Sequence, residues 1–195
     1  MQSNQIINIM ESIQSIKIIE SMLQESRKSL HNNSFYFILW GMLLIPAGIV
    51  EFLFYGDGNF WIVWPIIGIL GGIISAIYGR KEDKQSGLQT IGDRITLYTW
   101  GAFGITLIIV IAYSMHHNLS PHPLILMLAG SATFISGGIS KFNPFIWGGI
   151  ILELGAILCG FVLAPPYHGL IFACSIFLGY VIPGIMLKKV EYVKS

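Results

Sequence analysis

Six apolar stretches of about twenty residues each, at 35–55, 60–79, 95–115, 121–140, 144–164 and 167–187, leave this chain few ways to fold. A helix rises about 1.5 Å per residue, so each stretch matches the ~30 Å hydrocarbon core of a bilayer. In hydrocarbon every backbone N–H and C=O must be paired within the protein, which for segments of this length means α-helix. Charge usage agrees: only 11% of residues are charged and mean hydropathy is +0.70, where a soluble domain carries about a quarter. The expected class is an all-α polytopic membrane protein whose main partner is the lipid bilayer. A net charge of +1 and the lack of any RNP, zinc-finger or basic-helix pattern exclude nucleic acid as a partner.

The basic residues orient the chain. All eleven Lys and Arg fall on one side: Lys17, Arg27 and Lys28 before the first span, Arg80, Lys81, Lys84 and Arg94 between the second and third, Lys141 between the fourth and fifth, and Lys188, Lys189 and Lys194 after the sixth. The loops "YGDGN", "MHHNLSPH" and "APPYH" have none. The positive-inside rule then places both termini in the cytoplasm, as expected of a multi-pass protein of a plasma (inner) membrane. Tyr36, Trp61, Trp64 and Tyr167 near the span ends suit interfacial anchoring. The polar stretch before residue 34 lacks an h-region and a cleavage site, so the reading has no signal peptide removed.

Three segments follow: 1–33, a cytoplasmic amphipathic helix; 34–189, the transmembrane bundle; and 190–195, a cytoplasmic tail. Within 5–30, Ile6, Ile9, Ile13, Ile16 and Leu23 recur at helical spacing with the charges mostly off that line. This stripe, and the 79–94 loop with Asp93 as an expected N-cap, are the surfaces expected to meet a homo-oligomer or a partner membrane protein.

Internal similarity subdivides the bundle. Trp40-Gly41, Trp100-Gly101 and Trp147-Gly148 open spans one, three and five. The first basic residue after the next span, Arg80, Lys141 or Lys188, follows each Trp at nearly constant distance. The chain therefore reads as three tandem two-helix hairpins, at about 35–79, 95–140 and 144–187, in a pseudo-threefold arrangement. Small-residue ladders at Gly68, Gly72 and Ala76, and at Gly71, Ser75 and Gly79, point to close helix packing, as do Gly41/Gly48 and Gly148/Gly155.

Two places could carry chemistry. Glu153 lies deep in the fifth span, where an acid costs on the order of 2.5–3.5 kcal/mol on insertion scales. Aligned on the Trp-Gly pairs it shares a layer with Pro46 and Thr106. It reads either as a proton- or cation-responsive site or as a structural acid bonded to a neighbouring hydroxyl or carbonyl. On the outer side, His116, His117, His122 and His168 accompany Glu51 and Asp57. Histidine is a pH switch and the commonest metal ligand, yet "HHNLSPHP" lacks a fixed ligand pair, so these read as an outer pH or metal cluster or, more plainly, as solvated loop histidines. No metal or other cofactor is assigned. Cys159 and Cys174 read as two small buried hydrophobes. No HExxH, GxSxG or P-loop pattern occurs, so no catalytic residue is assigned and the chain is expected not to be an enzyme.

From Trp40 to Lys189 the tandem glycine-rich hairpins resemble the HdeD-like small membrane proteins, which implies a link to acid stress. "SFYFILWGMLL" at 34–44 and "LAGSATFISGGISKFNPFIWGG" at 128–149 are similar to uncharacterised bacterial six-helix membrane proteins. The expected function is association, as an oligomer or accessory, stress-linked subunit. The alternative is a small transporter or channel for protons, cations or a small solute, centred on Glu153.

Overall fold

Apolar stretches this long become helices end to end. The computed structural model describes residues 33–56, 62–83 and 91–192, together with Gln14 and Ile16. Its helices are α1 (Asn33–Leu53), α2 (Val63–Asp83), α3 (Ile91–His117), α4 (His122–Ser140), α5 (Asn143–Ile157), α6 (His168–Ile176) and α7 (Ile182–Tyr192). A π-turn, Leu158–Val162, prolongs α5, and a second, Phe177–Val181, joins α6 to α7 as one rod. Six of these rods are long and apolar enough to cross a membrane, and there is no strand among the described residues. The amphipathic segment 5–30 lies outside the described residues apart from Gln14 and Ile16, as does the 84–90 part of the 79–94 loop. Asp93 falls within the first turn of α3 and not ahead of it, because that helix starts at Ile91.

Local chemistry ends the helices where the chain must turn. Asn118 (φ 54°) and Lys141 (φ 51°) adopt the left-handed conformation. Beyond them Leu119 N–H returns to the Ser114 carbonyl at 2.9 Å and Phe142 N–H to the Gly137 carbonyl at 3.0 Å. These bonds satisfy carbonyls that the last helical turn leaves open. Pro123 in α4 and Pro144 in α5 stand in the first turn, where a missing N–H costs nothing.

Packing then rests on missing side chains, since in hydrocarbon the hydrophobic effect does not draw helices together. Gly48 on α1 and Gly148 on α5 both face the last rod. A Cβ at Gly48 would stand 2.5 Å from the Gly169 carbonyl oxygen, and one at Gly148 2.5 Å from that of Gly179. Gly41 and Gly155 face the same rod, against Val181 and Ser175. The α6–α7 rod is thus the axis of the bundle, clasped by α1 and α5. Between α4 and α5, a Cβ at Gly149 would meet the Gly130 carbonyl oxygen at 2.8 Å. Phe37, Phe145 and Tyr180 fill the layer nearer the chain termini, with Phe37 stacked on Phe145 at 4.2 Å.

The closest helix pairs are α4 with α5 and α1 with α6, which join consecutive hairpins or the first to the last. The helices α2 and α3 are peripheral, each with only 6% of its apolar window buried. The three Trp-Gly pairs also differ in setting. Trp40 covers Gly71, Trp100 packs edge-on to Phe37, and Trp147 is 65% exposed. Gly68 and Gly72 face open space, whereas Gly71 takes the ring of Trp40 and Gly79 the hydroxyl of Tyr36.

Candidate proton-binding site

At the bundle end away from residues 33 and 192, α1, α3 and α5 finish and α2, α4 and α6 begin. There Glu51, His122 and His168 are buried, at 6%, 3% and 4% exposure. His122 and His168 are therefore protein interior and not solvated loop residues. His116 and His117 are exposed at the end of α3, His117 against Tyr113. Asp57 lies outside the described residues.

Each member is set by its local sequence. Glu51 occupies the last turn of α1 and is brought over α6 by the glycine contact, with its Cβ 3.2 Å from where a Gly169 side chain would begin. His122 is the first residue of α4, after Ser120-Pro121. His168 opens α6 after the short Pro165–Tyr167 turn. Ala164, extended because proline follows, and Leu163 before it turn the Leu163 carbonyl back toward His168. Glu51 thereby stands near the N-terminal ends of two helices, where negative charge is favoured.

The contacts form a chain. Trp64 Nε1–H donates to Glu51 Oε2 at 2.8 Å. His122 Nε2 lies 2.9 Å from the same oxygen. That contact is an ion-pair distance in a bent direction and no hydrogen bond, and Nε2 has no hydrogen-bond partner. His122 Nδ1 is 3.0 Å from Ser120 Oγ, which is 2.7 Å from His168 Nδ1. His168 Nε2 ends the chain on the Leu163 carbonyl at 3.1 Å. Phe172 packs edge-on to both Trp64 and His122, and Cys159 sits behind with Sγ 3.9 Å from the His168 carbonyl.

Proton bookkeeping constrains the charge state. A carbonyl only accepts, so His168 Nε2 carries hydrogen. Ser120 has one hydroxyl proton between two ring nitrogens. If it donates to His168, His122 must donate Nδ1–H to Ser120, and a neutral His122 would turn a bare Nε2 lone pair on the Glu51 oxygen. A proton on Glu51 or on His122 removes that repulsion. If Ser120 donates to His122 instead, His168 carries both protons and His122 presents Nε2–H to Glu51. In both arrangements the contacts are best met with one proton more than a carboxylate with two neutral imidazoles. From His122 imidazolium the first arrangement becomes the second when His122 Nδ1–H passes to Ser120 Oγ while the Ser120 proton passes to His168 Nδ1; where the extra proton starts on Glu51, it passes to His122 Nε2 in the same exchange. Charge–charge attraction tolerates a bent approach better than a neutral hydrogen bond does, so the geometry suits imidazolium beside carboxylate.

The sequence reading missed Ser120 and Trp64. Their signal was positional: Ser120 stands two residues from His122, and Trp64 opens the span following Glu51. Among the described residues no three His, Cys, Asp or Glu side chains converge as a metal site. Cys174 is exposed and Cys159 buried, so only Cys159 fits the reading of two buried thiols.

Glu153 is a separate feature. Its Oε1 accepts a hydrogen bond from Ser131 Oγ at 2.9 Å, across the α4–α5 seam. The pair opens sideways on a shallow groove of about 420 Å³ lined by Phe134, Ile135, Ile150 and Leu154. Thr106 is half-buried and Pro46 exposed; the hydroxyl partner of Glu153 comes from α4 and not from the aligned layer.

Fold and site together define a helical protein with six membrane-length rods and a buried carboxylate–imidazole cluster at one end. No protein-family model matches the chain, and neither a curated protein nor a solved structure matches it.

Proposed function

We propose that this chain is a non-catalytic integral membrane protein of the bacterial plasma membrane that binds a proton at its outer end and converts its gain or loss into a change of helix packing. The observation that carries this reading is the buried 2.9 Å approach of His122 to Glu51. Among the described residues, Arg80, Arg94, Lys141, Lys188 and Lys189 stand at the opposite end, which supports an outward-facing cluster. The groups facing it come from five elements: Glu51 from α1, Trp64 from α2, Ser120 and His122 at the start of α4, Cys159 from the π-turn after α5, and His168 from α6, while His116 and His117 at the end of α3 are exposed. With the proton bound, these elements are tied together. When it leaves, either the His122 Nε2 lone pair faces the Glu51 carboxylate or the His168 Nδ1 lone pair faces the Ser120 oxygen; each loses one contact of the chain, so raising pH loosens this end.

Ser120, His122 and Glu51 are the residue types of a hydrolytic triad. In a hydrolytic triad one imidazole takes the serine proton, whereas Ser120 Oγ lies within hydrogen-bond distance of two imidazole nitrogens and must accept from one of them. The hydroxyl is a bridge. The test uses Trp64 as reporter, with the full chain in lipid nanodiscs taken from about pH 5 to about pH 9, the range that brackets imidazole titration. Tryptophan emission should change reversibly, and the change should vanish in Trp64→Phe and His122→Gln. Emission that stays constant across the range while the helices remain folded would overturn the proposal.

A further inference from the structure

We propose that two copies of this chain pair side by side through the α4–α5 face, with Glu153 and Ser131 at the centre of the contact. This face shares no residue with the outer cluster. Ser131 is the middle residue of the His122–Ser140 span, and Glu153 stands within one position of the middle of Asn143–Val162. Both therefore sit at the depth where hydrocarbon offers no hydrogen-bonding partner, and where ionisable side chains pair with each other or face a protein interior. Here the pair faces outward, with Ser131 exposed and Glu153 half-buried.

A second copy supplies what lipid cannot. Copies inserted in the same orientation and related by a two-fold axis along the membrane normal carry every residue at the same depth, so the contact is isologous. Glu153 then meets Ser131 or Glu153 of the second copy with no adjustment of register. Chemically the pair is self-complementary: Ser131 donates to Oε1 within one copy, which leaves Oε2 for the other, and a carboxylic acid both donates and accepts. The flanks fit as well. Phe134, Ile135 and Leu154 are 45%, 46% and 54% exposed beside the pair. Gly138, seven residues after Ser131 and so on the same helix face, has nothing within 4 Å of where its side chain would be, which admits a close helix approach.

The test is made on the full chain in liposomes, labelled with one fluorophore per chain and diluted in lipid. Photobleaching should show two steps per spot. Glu153→Leu should raise the protein density needed for half-pairing at least tenfold, whereas Glu153→Gln, which still donates and accepts, should retain most pairing. In a background with Cys159 and Cys174 changed to Ser, Leu154→Cys should cross-link to a dimer on oxidation, and Met42→Cys, on the exposed side of α1, should not. An unchanged helical circular-dichroism spectrum and thermal unfolding midpoint in Glu153→Leu would show that its fold is intact. Single-step bleaching at all densities, pairing indifferent to Glu153→Leu, or cross-linking through Met42→Cys but not Leu154→Cys would each overturn the proposal. Because the two readouts come from opposite parts of the molecule, failure of pairing leaves the proton-binding proposal standing, and the reverse also holds.

Discussion

Glu51 and His122 are each tolerable in the interior only because the other is there. Removing one partner of a buried pair strands the other, at a cost on the order of 3 kcal/mol. Glu51→Gln and His122→Gln should therefore each lower the stability of the detergent-solubilised protein by about that amount, read from thermal unfolding followed by circular dichroism. The double variant should cost less than the sum by more than about 1 kcal/mol; strict additivity would mean that the two side chains do not interact. The residue types of this site were visible in the sequence, but their burial was not. The Ser120–His168 contact spans 48 positions and Trp64–Glu51 spans 13. No local pattern distinguishes a histidine held by such contacts from one in a polar loop. Glu153 is the reverse case: its depth was legible from span length alone, while its exposure to the side depended on which helices neighbour it.

At the scale of elements, length and apolarity located the helices to within a few residues, because the same bilayer dimension sets both. The pairing of helices was less legible. Glycine ladders run through most spans, and nothing in a ladder says which side finds a partner. Of the two ladders in α2, the one containing Gly71 and Gly79 packs on Trp40 and Tyr36, and the one with Gly68 and Gly72 meets open space. The contrast can be measured. Gly48→Ala forces a methyl group against the Gly169 backbone and should destabilise by about 1–3 kcal/mol, whereas Gly68→Ala should change stability by less than about 0.5 kcal/mol. Equal effects in the same unfolding assay would contradict this packing. The π-turns at Leu158–Val162 and Phe177–Val181 left no sequence signature. They answer to tertiary packing around Cys159 and Tyr180, as such insertions commonly do near functional sites.

In the whole molecule, the carboxylate–imidazole cluster ties together the ends of α1, α2, α4 and α6, while the aromatic layer of Phe37, Phe145 and Tyr180 holds the opposite end. A change at the cluster should loosen one end and spare the other. Hydrogen–deuterium exchange, corrected for the intrinsic pH dependence of amide exchange, should show protection lost at high pH around residues 49–54 and 118–124, with no change around 140–146. Uniform loss along α4 would indicate global unfolding and not a local device. The packing is uneven: α4 lies against α5 and α1 against α6, while α2 and α3 remain on the periphery. The repeat remains a proposal from the Trp-Gly spacing. What the spacing could not reveal is that the last span sits at the centre, more than half of its window buried at 56%.

The central claim is that Glu51, His122, Ser120 and His168 hold one proton in common. Nitrogen-15 NMR of histidine-labelled protein in lipid tests it most directly, with His122→Gln and His168→Gln variants used to assign the two rings. The account predicts that His168 keeps hydrogen on Nε2 throughout, on the Leu163 carbonyl, and that the resonances of His122 and His168 move together in a single step as pH is raised. A His168 ring protonated only at Nδ1, or two histidines that change in separate steps, would contradict it.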